Sequence, residues 1–279
     1  MHSGPMSSTI EHLVSADGTR IAYSVIGSGP ALLVLRSNPG QLDLDLEVPS
    51  ARRRLEWLAE RFTVVRTDAR GTGLSQRGPV EQSIERWCED WEAIVEHAGL
   101  DRFAILSGGP ASILALTLAH RWGSRVTRLV LTTAVASGAD LRGLPGATII
   151  DRLQTDYALA IETLASTIHG WSSKEARLAA QVHRASRTPE ESSALVAPLL
   201  AADVSDLLPE IHVPTLVWHP REGFLSSLDT ARRIVARLPN ARLLLRSGNI
   251  VRINYDTDRT APEVERFLSW GATRLVADI

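Results

Sequence analysis

Short apolar runs punctuate this chain, and between them lie longer stretches whose apolar residues recur every three or four positions. Ala31-Leu32-Leu33-Val34-Leu35, Phe62-Thr63-Val64-Val65-Arg66, Phe103-Ala104-Ile105-Leu106 and Val126 to Leu131 are too short for helices and too apolar for surface loops, so they read as buried strands. The stretches around Ala51 to Glu60, from Ser83 to Ala98 and after Ala111 carry the helical period; Leu55, Trp57 and Leu58 form the inward face of the first. Ahead of them, Glu11-His12-Leu13-Val14 and Thr19 to Val25 flank Asp17-Gly18 and predict a hairpin. From about Thr133 to Leu208 the strand signals stop, and helices are expected over Ala147 to Ser166, Ser173 to Ser186 and Pro189 to Ala201. Two strand–helix units follow: Val213 to Trp218 with Leu228 to Leu238, and Ala241 to Leu245 with Pro262 to Trp270.

Strands alternating with helices predict an α/β fold around a mostly parallel central sheet. The helical interruption predicts an inserted cap, so the expected division is a core of residues 1–132 and 209–279 with a lid of 133–208. No internal repeat, low-complexity tract or linker interrupts this plan.

Composition narrows the partners. With 279 residues, 44% of them hydrophobic, the chain can bury a full core, and a net charge of −2 gives no reason to expect nucleic acid or an acidic membrane surface. The single Cys88 rules out an internal disulfide and points to a reducing cytoplasm as the default compartment. No run is long and apolar enough to cross a bilayer, and the N-terminus lacks a basic segment followed by an apolar core. No His/Cys/Asp/Glu spacing fits a metal site, and Gly27-Ser28-Gly29-Pro30 precedes a strand instead of opening a helix, which argues against a phosphate loop. Neither metal nor cofactor is expected. The partner predicted is a small molecule or a peptide.

The stretch Phe103 to Leu116 has strand–turn–helix form, with Ser107, Gly109 and Ala111 at the first, third and fifth positions of a G-x-S-x-G-like turn. Asp68-Ala69-Arg70-Gly71-Thr72-Gly73-Leu74-Ser75 resembles the D-x-R-G-x-G-x-S loop of the α/β-hydrolase fold. Arg125 to Leu131 and Val213 to Val217 resemble its strand signatures. The resemblance covers roughly Glu11 to Trp270 and implies a nucleophile, an acid and a histidine in that chain order, together with N–H donors for an oxyanion.

Position by position, that chemistry is missing. Gly109 stands where the nucleophile belongs, and the following Pro110 has no N–H to lend an oxyanion. The loop that begins His-Gly in the relatives begins Arg36-Ser37-Asn38 here. The acid position falls on Gly223, one residue beyond Glu222, and the late histidine position falls on Asn249, which cannot act as a general base near neutral pH. Ser107 and Ser112 are the remaining hydroxyls near the turn, but His219 is the last histidine of the chain and none follows to activate them.

Several residues admit two roles. Arg36 could bind a ligand carboxylate or amide oxygen, or it could pair with Asp43, Asp45 or Glu222. His219 could sit at the pocket rim as an acid or base, or be a polar residue held at a strand end. Trp171 and His169 could line a cavity under the lid or form lid core. Asp68 and Arg70 are expected to hold their own loop, and His183 and Arg184 to be solvated. The expected ligand-binding set is Arg36, Ser37, Asn38, Gly109, Pro110, Trp171, His219 and Asn249. Two functions follow. The chain is similar to triad-less proteins of this fold from natural-product pathways, including peptide epimerases, which implies a non-hydrolytic epimerase or isomerase using substrate-assisted proton abstraction. It is also similar to hydrolase-like domains attached to bacterial regulators, which implies a ligand sensor or carrier without catalysis.

Overall fold

The computed structural model describes residues 9–36, 40–142, 145–171, 173–224, 226–249 and 257–269. Eight strands form one sheet: β1 (Thr9–Val14), β2 (Arg20–Ile26), β3 (Ala31–Leu35), β4 (Thr63–Thr67), β5 (Phe103–Gly108), β6 (Val126–Thr132), β7 (Thr215–Glu222) and β8 (Ala241–Asn249). Their order across the sheet is β1-β2-β4-β3-β5-β6-β7-β8. The β1–β2 and β2–β4 pairs are antiparallel, and every pair from β4–β3 onward is parallel.

Strand residues alternate between the two faces, as the period of two requires. Leu33, Leu35, Ile105, Leu129 and Leu131 join a core with α2 (Ile84–His97), α3 (Ser112–Trp122) and α8 (Leu228–Arg237). Leu32, Val34, Ala104, Leu106 and Val130 join the opposite core with α1 (Pro49–Ala59) and α9 (Thr257–Ser269). Helix α2 shows the local logic. The Ser83 hydroxyl accepts the Arg86 N–H at 3.1 Å, capping the helix, and Trp87, Cys88, Trp91, Ile94 and Val95 form one buried stripe.

Between β6 and β7 run α4 (Pro145–Thr155), α5 (Tyr157–His169), α6 (Lys174–Ser186) and α7 (Pro189–Ala201). The single helix expected over Ala147 to Ser166 is two, because the Asp156 carboxylate accepts the Leu159 N–H at 3.2 Å and starts a new helix. Helices α4, α5 and α6 share an apolar cluster of their own, including Leu153, Ile161 and Val182. The two ends of this segment meet where Ser137 bridges Asp203 and the Val204 N–H reaches the Ala136 carbonyl at 2.8 Å.

Strands β7 and β8 both run farther than their apolar runs predict. Past Trp218, β7 has β8 as its paired neighbour and no pairing to β6, which leaves room for Pro220 in the strand. Asn249, at the late histidine position, ends β8 in the strand itself, opposite Glu222.

Candidate functional site

Strand β5 ends at Gly108, and the chain then turns into α3 through Gly109, Pro110 and Ala111. Two neighbouring glycines serve different ends there. A Cβ on Gly108 would lie 2.0 Å from the Thr132 hydroxyl, so close packing on β6 requires glycine. Gly109 has φ +55, the left-handed conformation that this sharp turn demands and glycine adopts freely. The sequence register at the turn is therefore the structural one. Ser107 and Ser112 are both buried, and neither hydroxyl has a hydrogen-bond partner among the described residues.

A cavity of about 90 Å³ opens beside this turn. Ala111 and Leu114 bring the start of α3 to its wall. Leu35 and Arg36 come from the end of β3, Thr67 and Asp68 from the end of β4, Trp87, Asp90 and Trp91 from α2, and Arg187, Leu195 and Leu199 from the α6–α7 junction and α7. It thus lies over the carboxyl ends of the strands, roofed by the helices inserted after β6.

Most charges around the cavity are matched. Arg36 pairs with Asp45 and, at 3.2 Å, with Asp68. Of its two expected roles, ion pairing is the one its guanidinium fulfils, and it does so while still lining the cavity. Asp68 also accepts the N–H groups of Leu42 at 3.2 Å and Leu74 at 3.0 Å, so it holds its loop as expected; its burial raises the carboxyl above the ordinary range. Arg66 donates to the Leu42 carbonyl at 3.0 Å, and burial next to Arg36 pulls its guanidinium down to about 9. Behind the wall, Arg70 is fully buried between Asp90 and Asp17, at 2.7 Å from each.

Of the other expected site residues, none that the structure describes lines the cavity. Ser37 and Asn38 lie outside the described residues, as does the side chain of Asn249. Pro110 is part of the turn, and Gly223 follows β7 in a bend so tight that a Cβ would lie 2.0 Å from the Ser226 carbonyl. Trp171 is 75% exposed and neither lines the cavity nor packs into the lid, which corrects both of its expected roles. His219 is fully buried, with Nδ1 2.5 Å from the Pro220 carbonyl and Nε2 3.1 Å from the Ser226 carbonyl, so it is a structural residue rather than a rim acid or base; burial lowers its pKa.

His169 does not line the cavity; at the end of α5 its side chain is 5% exposed, and Nδ1 stands 3.3 Å from the Ser50 hydroxyl and 3.6 Å from Glu175. His183, expected in solvent, is buried as well, and burial drives its pKa down to about 3 and keeps it neutral. Arg184 is exposed as expected. The reason for His183 is the docking of α6: the Ser186 carbonyl accepts the Gly73 N–H at 2.7 Å and draws the end of α6 onto the sheet's loops.

Arg187, Asp90, Trp87 and Trp91 are the cavity residues that sequence reasoning missed. Both tryptophans were visible as helical core positions, but their approach to the cavity depends on the loop that α2 faces. Arg187 precedes Thr188-Pro189-Glu190-Glu191, an N-terminal helix signature, and so reads as an ordinary surface cation. Among the described residues no group of three His, Cys, Asp or Glu side chains is placed to hold a metal ion, and no helix is long and apolar enough to cross a membrane.

No protein-family model matches the chain. It is 28% identical over 205 residues to a Caulobacter sp. K31 protein named "Putative carbamate hydrolase RutD", covering 68% of this chain and 74% of that one. It is 26% identical over 243 residues to the 2-hydroxy-6-oxo-2,4-heptadienoate hydrolase of Pseudomonas putida F1, covering 82% and 85%. Among solved structures it superposes on the esterase RhEst1 from Rhodococcus sp. ECU1013 with a TM-score of 0.80 at 20% identity, covering 94% of this chain and 98% of the esterase. Sheet order, the glycine turn after β5 and this superposition agree: this is a protein of the α/β-hydrolase fold.

Proposed function

We propose that the chain is a non-hydrolytic protein of this fold that holds a small ligand in the cavity beneath α7 and the α6–α7 junction. The turn after β5 carries the reading. Acyl transfer at this place needs a side chain on the residue at φ +55 and an N–H on the next one, and Gly109-Pro110 supplies neither. The named relatives act, by their names, on a carbamate and a short dienoate, which fits a cavity sized for small molecules. They support a retained pocket and are silent on its present chemistry.

A second reading, an epimerase or isomerase, rests on Asp68. Its carboxyl lines the cavity and burial favours its protonated form, so it is a group that could carry a proton for a bound substrate. Against this, Arg36, Leu42 and Leu74 already occupy its oxygens. Binding without turnover is the simpler account.

The test restores the missing nucleophile. Wild type, Gly109→Ser and Gly109→Ser/Pro110→Gly are expected to leave p-nitrophenyl acetate untouched, and a fluorophosphonate should label neither Ser107 nor Ser112. A serine at φ +55 costs roughly 1–2 kcal/mol, so far-UV circular dichroism should still report a folded protein. Esterase activity in the wild type, or fluorophosphonate labelling of its Ser107 or Ser112, would refute the proposal; activity gained only by a variant would show that the turn at Gly109-Pro110 alone withholds hydrolysis. Deuterium entering a bound substrate from heavy water would favour the isomerase.

A further inference from the structure

One charge at the cavity has no counter-charge. Arg187 is only 4% exposed and lines the cavity, and its Nε has no hydrogen-bond partner. Among the described residues no carboxylate forms an ion pair with it. Glu191 lies close enough for its field to favour the cation, but its oxygens are taken by Arg77 at 2.8 and 2.5 Å and by the N–H groups of Gly78 and Thr188. The Tyr157 hydroxyl is the other polar group that bears on the guanidinium. Arg36, Asp68 and Asp90 on the same wall all have ion-pair partners, as described above.

A guanidinium withdrawn from water without an anion is unfavourable, and burial pulls the Arg187 pKa below its ordinary value. Yet its backbone is firmly held. The Tyr157 hydroxyl donates to the Arg187 carbonyl at 3.0 Å and to the His183 carbonyl at 3.4 Å, and the Ser186 hydroxyl donates to the His183 carbonyl at 2.8 Å. Arg187 thus lines a space whose remaining wall carries Trp87, Trp91 and Leu195 beside the ion-paired Arg36, Asp68 and Asp90. Neutral His183 adds no second cation that would blur the demand.

We infer that the cavity binds a small carboxylic acid, its carboxylate paired with the Arg187 guanidinium and its short apolar body against Trp87 and Trp91. The inference rests on the small-ligand reading above and adds the chemical class. Planar guanidinium and planar carboxylate match in two-point geometry, and the pairing would supply the anion that the fold omits. At about 90 Å³, a short aliphatic or single-ring acid suits the space better than a peptide or fatty acid.

Isothermal titration with matched pairs tests it: butyrate against butyramide and benzoate against benzamide, on wild type, Arg187→Met and Arg187→Lys. Wild type is expected to bind at least one acid tenfold or more tightly than its amide. Arg187→Met should lose that preference, and Arg187→Lys should keep part of it. Without ligand, Arg187→Met should melt at or above the wild-type temperature, since it removes an unpaired buried charge. Equal affinities for acid and amide in wild type would overturn carboxylate recognition and leave the pocket standing. Heat from neither member of either pair would overturn the pocket reading with it. A lower melting temperature for Arg187→Met together with an undiminished acid preference would make Arg187 structural.

Discussion

Replacing Arg70 by methionine tests whether the charge layer behind the cavity is built as described. The guanidinium donates to Asp90 through Nε at 2.9 Å and Nη2 at 2.7 Å, to Asp17 through Nη1 at 2.7 Å, and to the Glu81 carbonyl at 3.1 Å. Methionine fills much of the volume but leaves Asp90 buried with no cation. Removing one partner of a buried pair costs about 3–5 kcal/mol, chiefly through the charge left behind. At about 2–4 °C per kcal/mol for a chain of this general size, the melting temperature should fall by roughly 6–20 °C. The Arg70 hydrogen bond holds the Asp17 carboxyl well below the usual carboxylate range. A depressed acid stabilises the fold above its unfolded pKa, near 4, and that stabilisation fades as pH drops toward the folded value. The gap between wild type and Arg70→Met, measured by urea unfolding with tryptophan fluorescence, should therefore be widest at pH 7 and narrow below pH 4. Adding Asp90→Asn should recover part of the loss. A deficit under about 1 kcal/mol at pH 7, or a gap independent of pH, would refute the reasoning.

Two further variants probe the turn and the lid. Gly108→Ala forces a Cβ onto the Thr132 hydroxyl and to 2.9 Å from its carbonyl, so about 1–3 kcal/mol should be lost in urea unfolding, with only partial rescue by Thr132→Ala because the carbonyl remains. His183 is neutral in the fold with a pKa of about 3 against 6.5 when unfolded, so the unfolded chain takes up the proton first and stability falls as pH drops below 6.5. Going from pH 8 to pH 5 should cost about 2 kcal/mol through this residue, and His183→Leu should remove that portion of the slope.

The α/β plan was legible because it rests on period. The unbroken apolar run Ala31 to Leu35 reads as a strand buried on both faces, and both faces are buried; the helical period over Ser83 to Ala98 appears as the buried stripe of α2. The turn at Gly109 was legible too, since a sharp strand-to-helix passage needs small residues in a set order. The ends of β7 and β8 were not: their last residues are polar, and strand pairing rather than apolarity extends them. The helix break at Asp156 turned on a single capping carboxylate inside an otherwise periodic stretch.

Charge was the least legible property. Arg36, His183, Arg187 and His219 are polar residues whose roles depend on what comes to rest beside them. Arg36 met Asp45 and Asp68 across the sheet edge, and His219 met two carbonyls. His183 and Arg187 were drawn inward when α6 docked on Gly73, a contact 113 residues distant in sequence. By itself, then, the sequence determined the α/β plan and the turn at Gly109-Pro110, because periodicity and backbone stereochemistry are local. Which cations are paired, which histidines are neutral and which cavity-lining arginine has no ion-pair partner among the described residues were decided only in three dimensions, because electrostatic partners and burial are set by segments that meet after folding.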